Sequence, residues 1–185
     1  MGLWEFFKNL LRRLPQNSND RILESPKAPP KDPPSPVTLE PDAPWLTFAI
    51  GEIGVKEFEG EKNNPRVLEY FKATEYRPHF EDNWCSAFVC FCLEKTGYKS
   101  TKKANARSYE WFGDRLLKPK RGCIAVFWRG SKDGWQGHVG FYMAENETHV
   151  YVLGGNQNDS VKVSSYPKNQ LLSYRWPQKS VASSS

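Results

Sequence analysis

The chain holds three histidines, two methionines and four cysteines among 185 residues. Four cysteines are too few to staple a chain of this length, so reduced thiols and synthesis in a cytoplasm are expected. No CxxC pair occurs, which removes the usual zinc spacings; neither a metal site nor a cofactor is expected. No uninterrupted apolar run approaches the roughly 20 residues needed to span a bilayer. Charge of one sign does not dominate either, with 26 Lys and Arg against 21 Asp and Glu. Without a basic stripe interleaved with stacking aromatics, a nucleic-acid partner is not expected. The net charge of +5 leaves a bias toward polyanionic walls or membrane surfaces.

Aromatic residues are plentiful, with seven Trp, eight Tyr and eleven Phe, enough for a core without staples. Proline is plentiful too, but concentrated. Residues 15–44, PQNSNDRILESPKAPPKDPPSPVTLEPDAP, read as an extended, solvated linker. Before it, residues 1–14 place Leu3, Phe6, Phe7, Leu10, Leu11 and Leu14 at helical spacing, with Glu5, Lys8, Arg12 and Arg13 between them. This pattern predicts an amphipathic helix, suited to an anionic membrane surface or a partner protein. Its positive charges follow the apolar residues and no small-residue cleavage site appears, so a secretory signal is not expected. Phe6 stands where a myristoylation motif needs Ser or Thr. A globular domain is predicted over 45–177, followed by a disordered tail over 178–185. No internal repeat is present, and a monomer is expected.

Within the domain, helical patterns come first. WLTFAIGEIG, NPRVLEYFKAT with Pro65 in its first turn, the segment after Asn83 and ARSYEWFGDRL are all read as helical. Strand patterns follow in CIAVFW, HVGFYMA, HVYVLGG, VKVSSY and LLSYRW, separated by runs rich in Gly, Asn and Asp. Helices followed by an antiparallel sheet define an α+β arrangement.

Three of the cysteines fall in one stretch, EDNWCSAFVCFCLEKTGY (residues 81–98). Asp82 or Asn83 as N-cap and Gly97 as a stop predict one helix from Trp84 to Thr96. On it Cys90 and Cys92 point to nearly opposite sides, and Cys85 and Cys92 are separated by roughly 10 Å, so no pair of them holds an ion. Cys90, Cys92 and Cys123 are read as small core residues. Cys85 lies in the first turn, where unpaired N–H groups and the helix dipole favour a thiolate and could hold an oxyanion. Position alone leaves it balanced between a nucleophile and a buried helix-start cysteine.

A nucleophilic cysteine needs a base. His79 sits in a charged loop and His149 at a turn. His138 opens a strand in GWQGHVGFYM, flanked by Gly137 and Gly140, which allow close approach of another segment. Asn156, at the end of the next strand in VLGGNQND, could hydrogen-bond one imidazole nitrogen and orient the other toward the thiol. The same residues also suit a simple turn.

The order of helix-start Cys, strand-start His and next-strand Asn resembles the CHAP and NlpC-type peptidases, a papain-like superfamily of peptidoglycan hydrolases, and is most similar to the small bacterial and phage lysins. EIGVKEFEGEKNNPRVLEYF, NWCSAFVCFCLEKTGY, ARSYEWF, GCIAVFWRGSKDGWQGHVGFYM, VLGGNQNDSVKVSSYP and YRWP carry the resemblance, across the whole domain. It implies a papain-like fold, with helices packed on a C-terminal antiparallel sheet. It also implies Cys85 as nucleophile, His138 as base and Asn156 as orienter, in a hydrolase acting as amidase or endopeptidase on peptidoglycan. Trp84 and Trp135 are candidate walls of a substrate groove, Trp84 being better suited to packing.

Gly154 stands where CHAP domains often carry Glu, Cys123 replaces an acidic residue, and the acidic calcium-binding pattern is missing. A protein of this kind would be made in the cytoplasm and act on the wall after release. The competing expectation is a catalytically silent wall-binding or virion structural module of the same fold.

Overall fold

The computed structural model describes residues 42–58, 64–79 and 82–180. The amphipathic helix predicted over 1–14 and nearly all of the linker lie outside the described residues, as do residues 181–185.

The described chain is a mixture of helices and antiparallel sheet, α+β, with the helices first. α1 (Pro44–Gly51) begins with proline at its first position, where no N–H is needed. α2 (Pro65–Phe71) repeats that device, and Asn64 caps it by accepting the Arg66 N–H at 2.8 Å. α3 (Cys85–Lys95) is the central helix: every residue from Cys85 to Leu93 is buried. A helix apolar on all sides belongs inside a core rather than on its surface. Its N-cap is Trp84, with no side-chain cap bond, so neither Asp82 nor Asn83 takes the expected capping role. A 3₁₀ helix (Ala106–Trp111) follows, capped by Asn105.

The sheet strands are β1 (Asp114–Leu116), β2 (Ile124–Trp128), β3 (Gly137–Glu145), β4 (His149–Gly154), β5 (Lys162–Pro167) and β6 (Leu171–Trp176). Their order is β1-β6-β2-β3-β4-β5, with all neighbours antiparallel. β1 departs from the sequence reading. DRL, read there as the end of a helix, pairs with the last strand instead.

One sheet face packs on α3, where Phe88 meets Phe141 at 6.3 Å. The other gathers Cys123, Ala125, Phe127, Val150, Val152 and Tyr174 into its own apolar cluster. β2 is buried on both faces and reads accordingly as an unbroken apolar run. Tyr166 of β5 stacks on Phe127 of β2 at 4.9 Å. Those strands are three places apart in the order, about 14 Å in a flat sheet. The sheet therefore curls, and the C-terminal end of β5 returns to the edge where β2 ends and β3 begins. This curl creates the corner in which the candidate site lies.

α1 is anchored to this framework by Trp45, whose indole N–H donates to the Gly122 carbonyl at 2.7 Å and whose ring packs edge-on against Tyr98 and Trp176. Glu52, just after α1, accepts from Arg66 and from Tyr70 Oη (2.7 Å) on α2. The Arg66 hydrogen bond holds the Glu52 carboxyl below its ordinary range despite burial. Beyond β6, Lys179 bridges to Tyr98 and the Ser180 N–H donates to the Gly97 carbonyl. Residues 178–180, expected in a disordered tail, are thus tied to the loop after α3. No helix among the described residues is long and apolar enough to cross a membrane.

Candidate active site

Cys85 is the first residue of α3 and only 4% exposed. Backbone N–H groups of Val139, Ser86 and Cys85 itself act on its thiol, favouring the thiolate. The Val139 contact places the thiol beside His138 on β3. Ser86 fixes the helix start by donating to the Lys103 carbonyl at 2.6 Å.

His138 is fully buried. Tyr166, delivered by the curl of the sheet, stacks on the imidazole at 4.5 Å and 14°. Arg129 Nη2 donates toward Nδ1 at 3.4 Å. The glycines around His138 permit close approach of other segments: a Cβ on Gly137 would lie 2.9 Å from Arg107 Cδ, and one on Gly140 2.9 Å from the Leu153 carbonyl oxygen.

Nε2 of His138 meets a residue other than the expected one. Asn156 has a left-handed backbone (φ +54°), and its side chain donates to Asn83 Oδ1 at 3.0 Å. It is occupied away from the imidazole, and its place in the reading as orienter passes to Gln157. Gln157 is 3% exposed, and its Nε2 donates to the carbonyls of Gly154 (3.1 Å), Val152 (3.4 Å) and Lys162. Three carbonyls around one amide nitrogen settle which atom is nitrogen, leaving Oε1 as the acceptor. Neither Gln157 Oε1 nor His138 Nε2 has another partner, and both are sealed from solvent. Gln157 acts on the imidazole as an acceptor that favours its protonation, through a contact looser than a full hydrogen bond. An acceptor at Nε2 selects the tautomer protonated there and leaves the lone pair on Nδ1, toward which Arg129 donates.

Two glycines make this possible. A Cβ on Gly154 would lie 3.2 Å from His138 Nε2 and 3.4 Å from Gln157 Cδ. The position where the CHAP pattern carries Glu is filled here by the converging imidazole and amide. A Cβ on Gly155 would fall 2.5 Å from Trp84 Cζ3 and 2.7 Å from Phe88 Cβ, so this glycine lets the GGNQ turn press onto the start of α3.

Trp84 is correspondingly fully buried, its indole N–H donating to Glu57 at 2.9 Å. It packs and does not line a groove, which corrects the expectation of a substrate wall. Trp135 is 75% exposed, on the loop joining β2 to β3. Arg107 steadies that loop by donating to the Lys132 (3.2 Å) and Gly134 (2.8 Å) carbonyls. His79 is exposed, and His149 bonds its neighbour Thr148 at 2.8 Å. Among the other cysteines, Cys90 meets the Tyr109 hydroxyl at 3.1 Å, Cys92 is buried within the helical layer and Cys123 in the sheet cluster.

The electrostatics reverse one expectation. A first-turn cysteine was expected to be a thiolate, yet burial pushes the Cys85 thiol up, outweighing the Arg129 charge and the three N–H groups. Burial and Arg129 together bring His138 down to about 3, against the opposing pull of Gln157. At neutral pH the resting pair is thiol and neutral imidazole.

Gln157, Arg129 and Tyr166 were missed in the sequence. Gln157 follows Asn156 directly, and only the left-handed turn at Asn156 decides which of the two folds back. Arg129 follows from the hairpin register, since Trp128 pairs with Gly137 and places Arg129 beside the start of β3. Tyr166 depends on sheet curl, which no local pattern carries. No protein-family model matches the chain, and no curated protein matches it.

Proposed function

We propose that the chain is a papain-like cysteine hydrolase that cleaves an amide bond of bacterial peptidoglycan. The observation that carries this reading is the buried His138, influenced by Gln157 and, at Nδ1, by Arg129, and adjacent in sequence to Val139, whose N–H acts on the thiol of Cys85 at a helix start. The wall as substrate rests on the resemblance of the segments around Cys85, His138 and the GGNQ turn to CHAP and NlpC-type lysins. A resting neutral pair suits a base that takes its proton only as the nucleophile attacks.

In the reaction, His138 Nδ1 removes the Cys85 proton while the sulfur adds to the amide carbon. The Cys85 N–H donates to the resulting oxyanion. Collapse expels the amine, which takes the proton from His138, and leaves a thioester. Water, deprotonated by His138, then hydrolyses the thioester and restores the thiol. Gln157 holds the imidazole in one tautomer throughout. Exposed Trp135 is a candidate wall for glycan or stem peptide. The amphipathic pattern of residues 1–14 would hold the enzyme to anionic lipid or a partner protein while it reaches the wall after release from the cytoplasm.

The 4% exposure of Cys85 favours a second reading, a wall-binding or virion structural module without catalysis. Digestion of purified peptidoglycan, followed by mass spectrometry of the fragments, separates the two. Wild type should release fragments that identify the bond, and Cys85→Ala should release none. Equal release by both proteins ends the hydrolase reading.

A further inference from the structure

Arg129 has no part in the reaction as written, and in the resting protein it works against it. It is the first residue after β2 and is exposed, yet its guanidinium donates toward the same Nδ1 lone pair that the base requires. Its charge disfavours the imidazolium, favours the thiolate of Cys85, and reaches the Tyr166 hydroxyl. Among the described residues no carboxylate lies within ion-pair distance of it. Two other arginines of the helical half do have carboxylate partners: Arg107 pairs with Glu110, and Arg66 with Glu52. The one guanidinium over the reacting pair is left for something that arrives with the substrate.

A guanidinium presents a planar fork of donors that fits a carboxylate bidentately. We propose that Arg129 recognises a free carboxylate on the residue next to the scissile amide, and that this carboxylate draws the guanidinium off His138 Nδ1. The proposal rests on Cys85 and His138 being the hydrolase pair. It narrows the substrate to peptides that are ionised beside the bond, as against their carboxamides. Since the guanidinium sits one hydrogen bond from the imidazole, the carboxylate has to lie within about one residue of the carbonyl under attack. Its arrival neutralises the charge that suppresses the base, frees the lone pair for the thiol proton, and so couples recognition to activation.

Two measurements test this, one of them independent of hydrolysis. Cys85 is alkylated with iodoacetate and with iodoacetamide, and its modification is followed by peptide mass spectrometry, in wild type, Arg129→Gln and Arg129→Lys. The iodoacetate-to-iodoacetamide rate ratio should be about tenfold higher in wild type than in Arg129→Gln, with Arg129→Lys between them. Paired wall peptides, one bearing the carboxylate and one its carboxamide, are then compared by kcat/KM. Wild type should prefer the carboxylate by about tenfold or more, and Arg129→Gln should lose the preference. Equal alkylation ratios in wild type and Arg129→Gln, or equal cleavage of both peptides by wild type, overturn the proposal. Charge-selective alkylation without cleavage of either peptide supports the carboxylate site and counts against the hydrolase reading instead.

Discussion

His138 Nε2 and Gln157 Oε1 are both buried without a full hydrogen bond, and Gln157 is the side chain that pulls the imidazole toward protonation. The amide nitrogen of Gln157 is committed to carbonyls at the end of β4 and the start of β5, so its oxygen cannot turn away without abandoning them. The imidazole is sandwiched from another side by Tyr166. The position of Gln157 beside the imidazole is thus set by backbone groups of the sheet. Catalytic contacts that are loose in a free enzyme commonly tighten when substrate excludes the remaining water.

Gln157→Leu should therefore lower kcat by about 100-fold with little change in KM, because it removes the acceptor that selects the tautomer. It should also cost about 2 kcal/mol of stability, since buried carbonyls lose their donor. Asn156→Gly, which keeps the left-handed backbone without the side chain, should retain kcat within about threefold. Steady-state kinetics on a wall fragment compares them. A larger loss for Asn156→Gly than for Gln157→Leu would return the orienting role to Asn156.

Cys85 and Cys90 of α3 should separate cleanly. Cys85→Ser should abolish cleavage while leaving the melting temperature nearly unchanged. Cys90→Ala breaks the contact with Tyr109 Oη and leaves a small void, costing about 1–2 kcal/mol with activity retained. Thermal melts and fragment release on the same preparations check both. Activity in Cys85→Ser would place the nucleophile elsewhere.

The adjacent glycines of the GGNQ turn should fail for different reasons. Gly155→Ala drives a methyl against the Trp84 ring and the Phe88 Cβ, so destabilisation of about 2 kcal/mol or more is expected. Gly154→Ala puts its methyl against His138 Nε2 and the Gln157 amide, at distances a small shift can relieve. It should fold, with kcat reduced by about tenfold or more as the imidazole moves. Urea denaturation alongside kinetics distinguishes the two; normal kcat in Gly154→Ala would show that the imidazole is not held as tightly as described.

Much of this was legible in the sequence because it is local. Alternating and continuous apolar runs placed β2 to β6, and Pro65 in a first turn placed α2, whereas Pro44, read as the end of the linker, proved to open α1. Cys85, His138 and the GGNQ turn could be set in order along the chain from helix-start and strand-start positions. What was not legible depends on tertiary geometry. The choice between Asn156 and Gln157 turns on one positive φ, and Tyr166 reaches His138 only because the sheet curls. The sign of the Cys85 shift was misjudged for a related reason: a helix N-terminus favours the thiolate, but burial opposes it more strongly.

Burial of His138 makes a pH-dependent stability the last expected outcome. Its folded value is held at about 3, far below the ordinary 6.5 of an exposed imidazole. Between those values the unfolded chain binds a proton that the folded protein does not, so stability rises with pH there and falls on acidification. The slope is about 1.4 kcal/mol per pH unit from this one group. Glu52, whose carboxyl Arg66 and Tyr70 hold below its ordinary range, acts in the same direction as pH falls through its folded value. A His138→Gln variant isolates the histidine. Urea melts at pH 7, 5.5 and 4.5 should show wild type losing more stability than the variant below pH 6.5, and parallel acid limbs would mean that His138 is protonated in the fold.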